Sequence, residues 1–320
     1  MSKIVISYGV PMEGFHSIAH HELIYPKALQ PFSKEEMLTL LPTADAVLAV
    51  KPFDRDMVEA AKQLKLIVCY GAGYDSIDIA AATARGILVA NIPSTVTAPT
   101  AELAIAHIMA SARRMTELDK LVRTKPAGEV FVLGDRMGTS IEGSMLGIVG
   151  MGRIGSKVAD FGRIMGMKVL YTARTPKPQR DALGDEHVSL ETLMAQSDFI
   201  SVHCPLTPQT KGLISRELLA SAKPDAYIIN TARGPVIDEE ALIEALEQKR
   251  IRGAGLDVFT GEPIVDPRLL ALDNVILTPH IGSNTEHARR QMAEAASAAI
   301  ATMLAGGIPK NIINPEVLSS

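Results

Sequence analysis

Short apolar runs rich in Val, Ile and Leu alternate along the chain with longer stretches of helical pattern. This alternation is typical of parallel sheets covered by helices, because strands buried on both faces read as nearly continuous apolar runs. It occurs in two successive series. The strands predicted for the first series begin at Lys3, Asp45, Leu64 and Ile87. The strands predicted for the second series begin at Met145, Lys168, Phe199, Ala226, Ala254 and Val275.

Two Ala-rich stretches outside these strands predict long helices. The first, Ala101 to Met115, is apolar almost all round and has Pro99 near its first turn, so we expect it to be buried between domains or subunits. The second, Glu286 to Leu304, follows the last strand and is expected to return to the first domain.

The pattern therefore predicts an α/β fold with two Rossmann-like, doubly wound parallel-sheet domains and an active site in the cleft between them. The first domain is expected to be discontinuous, with residues 1–97 joined by residues 285–320. The second is expected to span residues 98–284, and its six predicted strands suit a complete dinucleotide-binding sheet.

Composition and charge narrow the classes of function. The 320-residue chain has a net charge of -4 and no basic stripe interleaved with aromatic residues, so a nucleic-acid partner is not expected. No apolar run approaches the length that crosses a bilayer, and the N-terminus reads as a strand rather than a signal peptide. We therefore expect a cytoplasmic protein without a membrane partner, in which Cys69 and Cys204 are buried thiols. The histidines near the N-terminus have no ligand spacing, and no metal site is expected.

The sharpest local motif is the glycine pattern GxGxxG, which starts at Gly150. It follows a predicted strand and opens a predicted helix, which is the context that makes it a dinucleotide site. Gly150 permits the tight turn, Gly152 lets the backbone approach a pyrophosphate, and Gly155 lets helix and strand pack closely. The helix N-terminus, with Arg153 and Ile154, offers free N–H groups to the phosphates.

The end of the next strand bears on which dinucleotide is bound. An acidic residue is expected there to bind the ribose 2′-OH of NAD, but Ala173 stands in its place and Arg174 follows. A small residue beside an arginine accommodates a 2′-phosphate. Our hypothesis is a preference for NADP(H), while a solvated basic loop with use of NAD(H) as well is the alternative.

The remaining polar signals lie at the ends of the predicted strands, where open α/β sheets bind their ligands. Cys204 and Pro205 end one strand, and Asn230 to Gly234 ends the next. Asp257 ends another and leads to Gly261–Glu262–Pro263, and the last strand ends in Thr278 to Gly282. These segments are expected to converge on one crevice.

In this order and spacing, the segments resemble the D-isomer-specific 2-hydroxyacid dehydrogenases, from about Leu64 to Asn284. Two further segments, YTARTPKP and TAPTAELA, are more similar to the glyoxylate/hydroxypyruvate reductase branch. The segments that carry the resemblance are GAGYDSID, GMGRIG, HCPLTPQT, NTARGPVID, GLDVF with GEP, and TPHIGS.

The resemblance implies a hydride transfer between NAD(P)H and a small 2-keto or D-2-hydroxy acid, such as glyoxylate or hydroxypyruvate. His280 would be the acid/base, because imidazole exchanges protons near neutral pH. Glu262 would hydrogen-bond the other ring nitrogen, keeping the ring protonated and correctly turned. Arg233 would bind the substrate oxygens and polarise the carbonyl.

The resemblance also implies binding roles for other residues. The loop Gly71–Ala72–Gly73 would bind the substrate carboxylate through backbone N–H groups, which makes the first domain the substrate-binding, flavodoxin-like one. Asp257 would bind the nicotinamide carboxamide. The remaining residues expected to line the cofactor in the NAD(P)-binding domain are Thr100, Arg153, Ile154, Cys204, Pro205, Thr210, Thr231 and Ala232, together with Arg233 and His280. A homodimer is the family expectation, with the helix from Ala101 to Met115 as its seam.

Three alternatives stay open. A corepressor branch of the same fold senses dinucleotides without turnover, although it would need an interaction groove or tails. Formate oxidation uses a similar scaffold but pairs its histidine with Gln, whereas this chain has Glu262; phosphite oxidation is a further relative. The chain departs from the family at Gly128–Phe131, where a Trp is common, and at Lys51–Phe53, so the side chain of the substrate stays open.

Overall fold

The structure, a computed structural model, describes residues 1–50, 52–126, 129–130 and 132–319. Lys51, Gly128 and Phe131, which belong to the two departures from the family pattern, lie outside the described residues. The chain divides into two units, one formed by Met1–Val96 with Ser283–Ser320 and the other by Thr97–Gly282. The sequence pattern predicts domain boundaries at residues 97 and 284.

The secondary structure follows the predicted alternation of strands and helices. The strands are β1 (Lys3–Ile6), β2 (Glu22–Ile24), β3 (Ala46–Ala49), β4 (Leu66–Cys69), β5 (Leu88–Asn91), β6 (Met145–Val149), β7 (Lys168–Thr172), β8 (Glu186–His187), β9 (Phe199–Val202), β10 (Tyr227–Asn230), β11 (Gly253–Leu256) and β12 (Val275–Leu277). The helices are α1 (Lys34–Leu40), α2 (Arg55–Ala60), α3 (Ile79–Ala84), α4 (Thr97–Ala112), α5 (Met115–Thr124), α6 (Arg153–Ile164), α7 (Pro178–Asp181), α8 (Leu190–Gln196), α9 (Arg216–Ser221), α10 (Glu239–Glu247), α11 (Pro267–Ala271) and α12 (Glu286–Leu304).

Many helices begin at a side chain that accepts a hydrogen bond from the first turn. Ser33 and Glu36 form a reciprocal capping box at the start of α1, which satisfies two backbone donors that the helix itself leaves unpaired. The side chains that cap other helices in this way are Asp54, Asp78, Ser189, Ser215, Asp238, Asp266 and Thr285.

The first unit holds a parallel sheet of order β2-β1-β3-β4-β5, which is the flavodoxin-like order. Alternate side chains of each strand enter two separate apolar clusters. Val5 and Val47 face the cluster that α1, α2 and α3 cover, whereas Ile4 and Leu48 face the cluster that α12 covers. The sheet is therefore buried on both faces, as the continuous apolar runs predict.

The second unit holds a parallel sheet of order β12-β11-β10-β9-β6-β7-β8. Read from the other end, the sheet contains the strand order β8-β7-β6-β9-β10-β11, which is the order of a doubly wound dinucleotide-binding fold. The direction of winding reverses between β6 and β9. Helices α4 and α6 cover one face, and α8, α9 and α10 cover the other. Two parallel-sheet α/β units are thus confirmed.

Two strands and both ends of one helix differ from the predictions. β2 and β8 were not predicted, because each is a short strand at the edge of its sheet and carries no run of buried apolar residues. The helix predicted from Ala101 to Met115 begins at Thr97 and ends at Ala112, since Arg114 adopts a left-handed backbone with φ 53° before α5 begins. Within its own unit, α4 packs against α6, β10 and β11. In the described part of the chain no helix combines the length and apolarity needed to cross a membrane.

Candidate functional site

The predicted site residues of the second unit follow the carboxyl ends of neighbouring parallel strands. Backbone hydrogen bonds continue the sheet into these loops: the Asp257 N–H donates to the Asn230 carbonyl at 2.9 Å, and the Thr278 N–H donates to the Leu256 carbonyl at 2.9 Å. The loops after β6, β9, β10, β11 and β12 therefore all start at the carboxyl ends of the strands. These ends include the point between β6 and β9 where open α/β sheets bind their ligands.

The glycine turn after β6 needs glycine at three positions for three different reasons. Gly150 has φ +100°, and a Cβ there would lie 2.7 Å from the Cys204 nitrogen. A Cβ on Gly155 would lie 2.2 Å from the Gly150 carbonyl oxygen, so α6 approaches the turn too closely for any side chain. A Cβ on Gly152 would meet nothing within 4 Å. The side of the turn at Gly152 is therefore open, as a ligand-facing backbone requires.

The N-terminus of α6 faces this turn without a side chain of its own to cap it. Gly152 is the residue that precedes the helix, and no side chain there accepts a hydrogen bond from the first turn. Arg153 is exposed and Ile154 half-buried in that turn. Backbone donors and the positive end of the helix dipole are thus directed to the open side of the turn, which favours an anion.

The segment after β9 closes over the glycine turn from the other side of the switch point. Cys204 is buried, and burial raises the pKa of its thiol to about 11. Pro205 is exposed, and its carbonyl accepts a hydrogen bond from the Thr210 hydroxyl at 2.6 Å. The same hydroxyl accepts the Thr207 N–H at 2.8 Å, so Thr210 holds the shape of this loop.

The loop after β7 carries the residues expected to discriminate between the two dinucleotides. Ala173 is half-buried, and Arg174 is exposed. The Tyr171 hydroxyl accepts the Lys177 N–H at 2.7 Å and donates to Asp181 at 2.7 Å, so the loop has a fixed anchor.

Arg180, which follows in the same basic segment, serves a structural ion-pair cluster instead. Its guanidinium contacts Asp160 at 2.7 Å and Asp185 at 2.6 Å, and Arg163 contacts both carboxylates as well. The Asp185 side chain has no exposed surface, and a buried carboxylate needs such partners. Arg180 is therefore engaged within the fold, whereas Arg174 is exposed.

The loop after β10 is shaped by the buried side chain of Asn230. Its amide group donates to the Arg233 carbonyl at 2.9 Å and accepts the Ala232 N–H at 3.0 Å. Thr231 is buried, and within the described residues its hydroxyl has no hydrogen-bond partner. A buried hydroxyl of this kind is costly unless a ligand completes its bonding.

His280 and Glu262, which the family resemblance expects to be hydrogen-bonded, lie within hydrogen-bond distance of each other. The Nδ1 atom of His280 lies 2.8 Å from Glu262 Oε2, and the other carboxylate oxygen accepts the Phe259 N–H at 3.0 Å. Partial burial raises the pKa of the Glu262 carboxyl, but the hydrogen bond and charge of His280, the Phe259 amide and the charge of Arg233 together bring it below its ordinary value. The three predicted residues therefore lie in one electrostatic cluster, with Nε2 of His280 directed away from the carboxylate.

The loop that carries His280 is held by Asp257. His280 has a left-handed backbone with φ 54°, which is unusual for a residue with a side chain. Its N–H donates to the Asp257 carbonyl at 2.9 Å, and the Asp257 carboxylate accepts the Ile281 N–H at 2.8 Å and the Gly282 N–H at 2.9 Å. The Thr100 hydroxyl of α4 donates to the Gly282 carbonyl at 3.2 Å. Asp257 and Thr100 thus both fix this loop.

In the first unit, the loop Gly71–Ala72–Gly73 follows β4, and all three of its carbonyls are directed into the protein. They accept hydrogen bonds from the Ile92 N–H at 3.0 Å, the Asn91 side chain at 2.7 Å and the Cys69 thiol at 2.8 Å. A Cβ on Gly71 would meet nothing within 4 Å. This carbonyl orientation turns backbone N–H groups of the loop the other way, as an anion-binding loop requires.

The residues present fit a nicotinamide dinucleotide. Three features lie on loops that start at the carboxyl ends of the strands. They are the open side of Gly152, the uncapped first turn of α6 and, among the described residues, the unsatisfied hydroxyl of Thr231. For the residues that the structure describes, no three His, Cys, Asp or Glu side chains are grouped to hold a metal ion.

One residue near this site was missed at the level of sequence. His107 lies on α4, is 2% exposed, and its Nε2 is 2.9 Å from the Thr278 hydroxyl. A histidine inside an otherwise apolar, Ala-rich helix was the signal that could have found it, because a buried imidazole needs a polar partner.

Comparison with known proteins shows which family this chain resembles. The family model for the D-isomer specific 2-hydroxyacid dehydrogenase, NAD binding domain, matches residues 105–282. A glyoxylate reductase from Thermococcus litoralis is 41% identical over 99% of this chain and 98% of its own length. Among solved structures, the TT0316 protein from Thermus thermophilus is 37% identical, with a TM-score of 0.89 over 97% of this chain and 99% of its own. An acyclic imino acid reductase in complex with NADPH and D-Arg is 29% identical, with a TM-score of 0.85 over 97% of this chain and 99% of its own.

Fold, site and comparisons together define an oxidoreductase with a nicotinamide-dinucleotide-binding domain. The chain belongs to the D-isomer-specific 2-hydroxyacid dehydrogenase family, in which it lies with the glyoxylate reductase branch.

Proposed function

We propose that this protein reduces a small 2-keto acid, with glyoxylate and hydroxypyruvate as the first candidates, to the D-2-hydroxy acid at the expense of NADPH. The observation that carries the proposal is the His280–Glu262 pair at 2.8 Å, with the charge of Arg233 acting on the same carboxylate. A proton donor and a fixed cation in one cluster are what the reduction of a carbonyl beside a carboxylate requires.

In this mechanism each side chain has a distinct task. Glu262 holds Nδ1 of His280, so that Nε2 is the atom that gives its proton to the carbonyl oxygen of the substrate. Arg233 binds the substrate oxygens and stabilises the negative charge that develops on the carbonyl oxygen. The backbone N–H groups of Ala72 and Gly73 bind a substrate carboxylate. The dinucleotide, when bound, supplies the hydride.

The dinucleotide would be held mainly by the second unit. Gly152 and the first turn of α6 bind the pyrophosphate through backbone N–H groups. The Thr231 hydroxyl completes its hydrogen bonding on the ligand, and the Asp257 carboxylate, which has an acceptor position left beyond its three donors, receives the nicotinamide amide. Arg174, supported by Lys177, binds a 2′-phosphate beside the small side chain of Ala173.

A panel of 2-keto acids tested with NADPH and NADH examines the proposal. We expect turnover of glyoxylate or hydroxypyruvate, and a fall in kcat of roughly 10²–10⁴-fold in His280→Asn, which is the usual loss on removing a general acid. The matched control is His203→Asn, whose imidazole bonds the Ser201 hydroxyl at 2.8 Å and has no part in the mechanism. Tight dinucleotide binding without turnover of any acid would favour a dinucleotide-sensing regulator instead, and turnover of formate or phosphite would replace the substrate class.

A further inference from the structure

A buried chain of hydrogen bonds leads from helix α4 to the loop that carries His280. His107 Nε2 lies 2.9 Å from the Thr278 hydroxyl, and that hydroxyl lies 2.6 Å from Asp257 Oδ1. The Asp257 carboxylate in turn accepts the N–H groups of Ile281 and Gly282, which directly follow His280. This series of hydrogen bonds thus begins on α4 and ends at the backbone next to the proposed acid/base.

The direction of each hydrogen bond in this chain is fixed by what the groups can donate. An ionised carboxylate only accepts, so the single proton of the Thr278 hydroxyl goes to Asp257. The hydroxyl must therefore accept from His107, which places the imidazole proton on Nε2. His107 Nδ1 is buried and, within the described part of the chain, has no hydrogen-bond partner, so it carries the bare lone pair.

The surroundings of the imidazole keep it neutral, with its proton on Nε2. A Cβ on Gly255 would lie 2.8 Å from both Cβ and Nδ1 of His107, so the strand beneath the ring has room only for glycine. His107 is 2% exposed, and burial lowers its pKa, a change that the charge of Asp257 opposes only in part. A protonated ring would also bury an N–H on Nδ1 without an acceptor. The ring therefore stays neutral and donates in one direction.

We propose that His107 is a positioning residue for the acid/base: by donating to Thr278 it orients the Asp257 carboxylate, which holds His280 in its left-handed backbone conformation. Such a backbone conformation is strained for a residue with a side chain and persists only where the surroundings impose it. The position of His280 then depends on a residue of α4 that touches neither substrate nor cofactor. This inference rests on the proposed function for its effect on turnover, but not for its effect on the loop.

The test compares two substitutions at position 107 by hydrogen exchange and by kinetics. His107→Leu keeps the bulk and removes the donor, whereas His107→Gln keeps an N–H donor near the Nε2 position. We expect His107→Leu to accelerate amide exchange at Ile281 and Gly282 and to lower kcat about tenfold, a loss within the range that small misplacements of reacting groups cause. We expect His107→Gln to restore slow exchange and most of the turnover.

Two further variants guard the interpretation. Thr278→Val interrupts the same series of hydrogen bonds. The double variant His107→Leu/Thr278→Val should therefore lose no more turnover than Thr278→Val alone. Thr278→Val also serves as the test variant if His107→Leu does not fold. Ser111→Ala, one turn along α4, removes a buried hydroxyl that has no partner in the described residues and should change nothing.

Wild-type exchange at Ile281 and Gly282 in His107→Leu, or additive losses in the double variant, would overturn the role of His107. A wild-type enzyme that exchanges slowly at these amides but turns over no keto acid would instead overturn the proposed function, while the exchange data still decide on His107.

Discussion

Two glycines of the same turn differ in how much room they have, and this gives a sharp prediction. In Gly155→Ala the new methyl group would lie 2.2 Å from the Gly150 carbonyl oxygen and 2.9 Å from Ile148. In Gly152→Ala it would meet nothing within 4 Å, on a backbone with φ -86° that any residue adopts. The first substitution therefore damages the fold, and the second damages only the binding of a ligand.

The size of each effect follows from these distances. To restore ordinary contact in Gly155→Ala, the start of α6 must withdraw from β6 by about 1 Å, and overpacking of this kind costs roughly 1–3 kcal/mol of the free energy of unfolding. For a unit of this size that lowers Tm by about 3–10 °C. Gly152→Ala should leave stability within about 0.5 kcal/mol, because it adds no clash and restricts the unfolded chain slightly.

Dinucleotide affinity should fall in both variants, for different reasons. The methyl group of Gly152→Ala stands where the pyrophosphate is proposed to approach the backbone, and losing a charge-assisted hydrogen bond costs about 1.5–3 kcal/mol, or roughly 10–100-fold in Kd. Gly155→Ala displaces the same N–H groups by moving the helix.

The assays are thermal unfolding and titration with NADPH, followed by the fluorescence of the reduced nicotinamide. Equal losses of Tm in the two variants, or normal binding by Gly152→Ala, would refute this account of the turn.

Three other predictions follow from the site. Arg174→Ala should lower kcat/KM for NADPH by about tenfold or more and leave that for NADH nearly unchanged in steady-state kinetics, because only NADPH has a 2′-phosphate to bind; equal losses with both would count against the cofactor assignment. Arg233→Lys should lower kcat and raise the KM for the keto acid together, since a point charge cannot replace a planar fork, and unchanged constants would remove Arg233 from the mechanism. Because burial raises the pKa of Cys204 to about 11, its thiolate is scarce at neutral pH and grows as pH rises toward that value. In a Cys69→Ser background its alkylation at pH 8 should therefore be roughly 100-fold slower than that of a free thiol; rapid labelling would contradict its burial.

The central strands and the glycine turn could be predicted because their residues satisfy local rules that the fold also obeys. Strands such as β6 and β9 are buried on both faces, so their apolar runs are continuous, and α12 begins and ends where its pattern does. β2 and β8 could not be predicted in this way. Each lies at a sheet edge, half-exposed, and owes its strand conformation to hydrogen bonds with a neighbour rather than to its own side chains.

The site shows the same division between local and distant causes. The resemblance to a family identified Glu262 and His280, and the structure brings them within hydrogen-bond distance although they lie 18 positions apart in the sequence. The commitment of Arg180 to Asp160 and Asp185 could not be predicted, because ion-pair partners depend on how α6 and the segment after β7 pack together. The link between His107 and Thr278 spans 171 residues of sequence and likewise arises only from packing.

The first unit is formed by two separate segments of the sequence, and this has a consequence for its synthesis on the ribosome. Its five strands have all been made once Asn91 has been added, but the apolar side chains that cover one face of the sheet, among them Met292, Ala296 and Ile300, belong to α12. At 5–20 residues per second, roughly 10–40 seconds separate the last strand from the helix that covers it. During that interval the nascent sheet exposes an apolar face. The second unit, in contrast, has been synthesised in full once Gly282 has been added. Newborn chains should therefore depend on a holding chaperone for the first unit and not for the second.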